Sequence, residues 1–94
     1  MSERKRKTHI LKIWPMFFAE IIEGRKRWEF RATRDLDFGL IDILDLREWD
    51  PCEARYTGRR ARCQVLSMVA SSSGYAALRI DLLSVNHSKR EEGG

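Results

Sequence analysis

The sequence predicts a small α+β domain: a curled, barrel-like sheet with one helix after the first strand. Three observations point there. Apolar residues alternate with period two in several separate segments, the mark of strands with one buried face. A single stretch, just after the first of these segments, carries apolar residues at i,i+4 spacing. The resulting order, β-α-β-β-β-β, puts one helix beside a run of strands, the pattern of an α+β fold.

The chain opens on residues 1–7, where Arg4, Lys5, Arg6 and Lys7 form an unbroken cationic run. Such a run reads as a solvated arm, with phosphate contact as the alternative. The folded domain is expected over residues 8–85. In its first strand His9, Leu11 and Ile13 alternate against Ile10, Lys12 and Trp14. His9 falls in phase with the core-facing pair, which makes it a structural histidine rather than a catalyst. Pro15 ends the strand and suits the first helical position, where its missing N–H has no intrahelical partner to lose. The helix runs roughly from Met16 to Glu23. Phe17 with Ile21 and Phe18 with Ile22 form its apolar stripe, and Gly24 is its left-handed cap.

Residues 24–31, Gly-Arg-Lys-Arg-Trp-Glu-Phe-Arg, hold four cations, one carboxylate and two aromatic rings in eight positions. In an extended strand alternate side chains face opposite ways. Trp28 and Phe30 therefore share one face, expected to anchor the core, while Arg27, Glu29 and Arg31 share the other. Taken singly, each charge reads equally as a solvated edge-strand residue. As a cluster they read as a binding site.

Ala32 to Gly39 follows as a loop in which Arg34, Asp35 and Asp37 surround Leu36 and Phe38, placed to line a pocket. Ile41 to Trp49 is an apolar strand that Pro51 stops. Glu53 to Gly58 is a polar connection with Tyr56-Thr57-Gly58 as its hairpin turn. From Arg59 to Val69, Ala61, Cys63 and Val65 alternate against Arg60, Arg62 and Gln64. Ser71 to Gly74 is a turn. Tyr75 to Val85 is the last strand, with Leu78, Ile80 and Leu82 inward, and residues 86–94 form a polar, disordered tail.

Composition narrows the class of protein. Ninety-four residues make one domain with one modest core. The net charge of +4 favours anionic partners, nucleic acid or an anionic membrane, without choosing between them. Cys52 and Cys63 lack both the spacing and the accompanying histidines of a zinc site, and they read as reduced thiols of a cytoplasmic protein. Trp14-Pro15 and Glu20 interrupt the first apolar stretch, so neither a signal peptide nor a membrane span is expected. Asp35, Asp37, Asp42 and Asp45 read as loop and surface groups, since Asp42 and Asp45 have opposite phases along a strand and do not converge on a metal. No cofactor is expected.

His9-Ile10-Leu11-Lys12-Ile13, Gly24-Arg25-Lys26 leading into Glu29-Phe30-Arg31, Asp35-Leu36-Asp37-Phe38, Leu46 to Pro51 and Tyr56-Thr57-Gly58-Arg59 follow in an ordered set over about Thr8 to Leu82. That set resembles the small ASCH-like domains of bacterial and phage proteins, within the PUA-like superfamily. The resemblance implies a PUA-like β-barrel of five to six strands with a helix over one opening, and a cleft beside that helix that receives RNA or a single, often modified, nucleobase. Lys26 and Arg31 suit phosphate or a base edge, and Glu29 suits an exocyclic amine, as carboxylates do with cytosine. For stacking, Trp28 is the nearest ring but its phase points to the core, which leaves Trp49 or Tyr75. Arg34 and Arg47 are the candidates for backbone contact.

Two enzymatic alternatives use the same cleft. One small ASCH-like group resembles an amidohydrolase acting on acetylated cytidine, which requires a lysine after the helix, a threonine three positions on and a distant glutamate. Lys26 matches, but Glu29 stands at the threonine position, and no glutamate occurs between Ala54 and Arg90. Metal-independent RNA cleavage is the other, with His9 or Glu29 as general base beside Lys26 and Arg31. A third class is a phage-type protein-interaction module presenting its arginines to an acidic partner. A concave convergence of Lys26, Glu29 and Arg31 favours a nucleotide reader; a flat arrangement favours a protein contact.

Overall fold

The computed structural model describes residues 5–32, 37–71 and 73–87. Five strands and one helix follow in the order β1 (Thr8–Ile13), α1 (Pro15–Ile22), β2 (Trp28–Ala32), β3 (Ile43–Asp50), β4 (Arg55–Ala70) and β5 (Tyr75–His87). The strands form one curled half-barrel sheet of order β1-β3-β4-β5-β2. β1 runs parallel to β3, and every other pairing is antiparallel.

In β1 the inward residues are His9, Leu11 and Ile13, as the alternation predicts. Pro15 opens α1, and the Trp14 carbonyl accepts from the N–H groups of Phe17 (3.1 Å) and Phe18 (2.9 Å). Phe18 and Ile21 are the helix's buried pair, while Phe17, expected in the stripe, is exposed. The helix is short and covers only part of the sheet, so one phase of its stripe suffices. Full burial of a side chain the size of Phe18 stabilises by roughly 1.5–3 kcal/mol.

The helix ends in a Schellman arrangement. Gly24, at φ +80°, lets its own N–H reach the Ile21 carbonyl (3.1 Å) and the Arg25 N–H reach the Glu20 carbonyl (2.9 Å). The Lys26 N–H also donates to the Glu20 carbonyl, at 3.1 Å. The cap therefore fixes where Lys26 leaves the helix.

The phase of β2 reverses the expectation. Trp28 (39% exposed) and Phe30 (66%) face outward, whereas Glu29 (6%) is buried. Glu29 lies opposite Leu78 and Arg31 opposite Ala76, both core residues of β5. The pleat thus carries the charged set of β2 inward. Phe18, Ile21, Leu78 and Ile80 already fill the interior beneath the helix, and the polar pair occupies the edge of the sheet beyond them.

Asp42 and Asp45 are buried rather than on the surface. Asp42 accepts from His9 Nε2 (2.8 Å) and from the Gly39 N–H (2.9 Å) through Oδ2, and from the Lys7 N–H (2.9 Å) through Oδ1. It ties the start of β1 to the segment before β3, and His9 packs on Phe38 with ring centroids 4.6 Å apart. His9 is therefore a structural residue. Lys7, placed in the arm by its charge, is held by Asp42 and by the Ile43 N–H, which donates to its carbonyl at 2.8 Å.

The turn before β4 is Pro51–Ala54, where Asp50 Oδ1 accepts from the N–H groups of Cys52 (2.9 Å) and Glu53 (3.2 Å). Tyr56-Thr57-Gly58, expected as the turn, lies inside β4. Its glycine, at φ +99°, serves the irregularity where the β3–β4 register shifts between Arg47 and Trp49. At the other end, Asn86 and His87 stay in β5, opposite Arg60 and Arg59, so the strand outruns its predicted limit at Val85. The rest of the expected tail lies outside the described residues.

Candidate functional site

β1 and β2 are the two outer strands of the curled sheet. The Arg31 guanidinium spans the gap between them, its Nη2 donating to the Lys12 carbonyl at 3.1 Å. On the way it passes Glu29, to whose Oε2 its Nε donates at 2.8 Å. The Lys26 ammonium, positioned by the helix cap, lies 3.7 Å from the other oxygen, Glu29 Oε1. That oxygen is buried without a hydrogen-bond partner.

These three residues converge on one cleft of about 540 Å³, within the usual size of a small-molecule site. Trp14 and Phe17, from the start of α1, and Phe30, from β2, supply aromatic walls. Lys12 and Ile13 complete the side formed by β1. Lys26 lies 5.8 Å from the ring centroids of both Phe17 and Phe30. A second cavity of about 380 Å³ lies across Lys26, between the end of α1 and the middle of β5.

The other predicted residues are spread more widely. Arg34 lies outside the described residues. Tyr75 is exposed at the start of β5, opposite Ala32, and does not line the cleft. Arg47 and Trp49 sit on the convex face of β3. Arg47 Nη2 donates to Asp45 Oδ2 at 3.0 Å, and Trp49 carries the Lys12 ammonium 4.0 Å from its ring centroid, with Tyr56 packed edge-on at 4.9 Å. Trp49 thus meets the cleft only through Lys12. The exposed rings that do line it are Trp14, Phe17 and Phe30, which alternation and helical spacing alone assign to strand or core. Their signal was position, one at each end of the strand–helix junction and one within the charged stretch.

A second polar group inside the fold, centred on Glu48, has no local signature in the sequence. Glu48, 2% exposed, accepts from Thr57 Oγ1 (2.6 Å) and Arg59 Nε (2.9 Å) at Oε1, and from Arg59 Nη2 (2.9 Å) at Oε2. The Arg59 guanidinium rests 4.8 Å from the Phe18 ring centroid. Burial pushes the Glu48 carboxyl up, but the hydrogen bonds from Arg59 and Thr57 and the Arg59 charge outweigh it and hold the group below its ordinary range. Cys63, buried in the core, has its thiol pushed up to about 12, first by burial and then by the charges of Glu29 and Asp81. It is an inert core thiol.

Among the described residues no three His, Cys, Asp or Glu side chains cluster as metal ligands, and no helix is long and apolar enough to cross a membrane.

Fold and site together define a small α+β half-barrel domain with a cation-lined cleft between its edge strands. Residues 8–80 match the family described as "Domain of unknown function (DUF3850)", and the chain belongs to that family. No curated protein matches it.

Proposed function

We propose that this domain binds RNA or a nucleobase in the cleft between β1, β2 and α1, and that it is an ASCH-like member of the PUA-like superfamily. The observation that carries the reading is the convergence of Lys26, Glu29 and Arg31 on a concave, ring-walled cleft. A flat protein-contact face has no need of such a concavity. The curled five-stranded sheet with a helix after its first strand supports the superfamily assignment.

The chemistry fits a base and its phosphate. Trp14, Phe17 and Phe30 offer π-faces, and stacking on aromatic rings is tolerant of base identity. Glu29 Oε1, without a hydrogen bond of its own, accepts from an exocyclic amine. Lys26 and Arg31 hold a phosphate or a base edge. The same unspent carboxylate oxygen beside two cations supports RNA cleavage as the second reading, with Glu29 as general base. His9 takes no part in that reading, because it is bound to Asp42 and does not line the cleft.

The test is fluorescence anisotropy of labelled single-stranded RNA against the wild type and Lys26→Ala at several salt concentrations, with the RNA then run on a gel. Expected are salt-dependent binding, weaker in Lys26→Ala, and intact RNA. Cut RNA, with cutting abolished in Lys26→Ala, promotes the nuclease reading. Failure of the wild type to bind RNA or free nucleosides at low salt removes the proposal.

A further inference from the structure

The convex face of the sheet carries a charge arrangement that the cleft does not explain. Register places Lys12 opposite Arg47 and Arg47 opposite Arg60, so three cations stand in one row across β1, β3 and β4. In the adjacent row Ile10, Asp45 and Arg62 are partners in the same way. Four cations therefore face one carboxylate across these two rows. Like charges directly opposite one another destabilise a sheet, and one acid cannot neutralise them all. Asp45 Oδ2 serves Arg47 Nη2 at 3.0 Å and Arg60 Nη1 at 3.8 Å, while Arg47 Nε has no hydrogen-bond partner. A notch of about 150 Å³ opens beside Arg47 and Arg60, walled also by Tyr56, Gly58 and Arg59.

The row is continuous with the cleft. Lys12 belongs to both: the residue lines the cleft, where its carbonyl receives Arg31, and its ammonium sits over Trp49 on the convex face. From Lys12 the row crosses three strands, a span of about 10 Å at the usual strand spacing. A free nucleoside in the cleft leaves that row unused.

We infer that the Lys12–Arg47–Arg60 row, with Arg62 beside it, carries the phosphate backbone of a single-stranded polynucleotide whose base enters the cleft. The ligand is then a strand rather than a free nucleoside. The occupant follows from charge complementarity, since repeated phosphates at the edge of a base-sized cleft are what a cation row of this length neutralises. The inference rests on the base-binding reading of the cleft, and the experiment separates the two.

Binding of a short labelled single-stranded RNA is measured against salt for the wild type and for the double variant Arg60→Gln/Arg62→Gln, which keeps the Arg47–Asp45 bond. The variant is expected to melt like the wild type and to bind with a shallower salt dependence, by about 1.4 in log affinity against log salt for two lost phosphate contacts. If it does not fold, the single variant Arg62→Gln, at an exposed residue that does not line the cleft, is read in its place, with an expected change of about 0.7. An unchanged slope with RNA still bound overturns the backbone track and leaves the cleft reading standing. No RNA binding by the wild type at low salt removes both. Competition by polyglutamate as effective as that by unlabelled RNA overturns the polynucleotide in favour of an acidic protein surface.

Discussion

Two carboxylate–arginine pairs sit on the inner face of this sheet, and they differ in how completely they are satisfied. At Glu48 both oxygens are occupied, by Thr57 and by two edges of the Arg59 guanidinium. At Glu29 only Oε2 receives a hydrogen bond, from Arg31, while Oε1 faces the Lys26 ammonium at 3.7 Å. Buried carboxylates are costly unless fully paired. The saturated pair therefore behaves as a strut between β3 and β4. The unsaturated one holds acceptor capacity at the wall of a cleft. The contrast separates charge buried for structure from charge placed for a ligand, although both arise from the same alternation of side chains along a strand.

The strongest way to break the comparison is at the strut. Arg59→Ala leaves Glu48, whose side chain is 3% exposed, as an unpaired buried carboxylate. Loss of one partner of a buried pair costs about 3–5 kcal/mol, and the lower end applies here because Arg59 is itself partly exposed. Urea unfolding monitored by tryptophan fluorescence reads the loss directly. A change below about 1 kcal/mol, the value of a surface pair, would demote the strut to an ordinary ion pair.

Acid titration sharpens the same point with a smaller effect. The folded Glu48 carboxyl lies below its ordinary value, so the unfolded chain binds its proton more readily. Its stabilisation is fully present above the unfolded value of about 4.3, and it is lost as pH falls through the lower folded value. The wild type is expected to lose urea stability across that window, and Glu48→Gln to lose less over the same range. Parallel acid limbs in the two proteins would place the stabilisation elsewhere.

Much of this contrast was legible in the sequence, in an uneven way. Period two correctly gave the inward set of β1, and Pro15 and Gly24 bracketed the helix because each has one conformational property that little else supplies. The sequence leaves the convergence of Lys26, Glu29 and Arg31 on one concavity open, but their choice as a set followed from their shared stretch. The phase of β2 did not, because rings and charges alternate there and only β5, with Leu78 and Ala76 opposite Glu29 and Arg31, decides which set turns inward. Glu48 and Arg59 were in phase with Leu44 and Leu46 and with Ala61 and Cys63. A charge in that phase is buried only with a partner, and only the pairing of β3 with β4 supplies each with its own. Gly58 looked like a turn because a positive φ serves a turn and a bulge equally well. The parallel pairing of β1 with β3, which makes β1 and β2 the outer strands that Arg31 spans, is a tertiary choice that no local pattern records.

The finest test falls on the unsaturated pair. Glu29→Gln preserves shape, and the amide oxygen still accepts from Arg31 Nε, so the mutant gives up the attraction to Lys26 while avoiding the burial of a charge. These terms oppose each other, and the expected change in unfolding free energy is within about 1 kcal/mol. Binding is expected to respond differently. The amide can present a donor where the carboxylate only accepts, so affinity for oligocytidylate should fall relative to oligouridylate, by about 1 kcal/mol for one lost hydrogen bond. Urea unfolding and anisotropy on the two RNAs measure both quantities in the same preparation. A stability loss as large as that of Arg59→Ala, with base preference unchanged, would make Glu29 a second strut and erase the distinction between the two pairs.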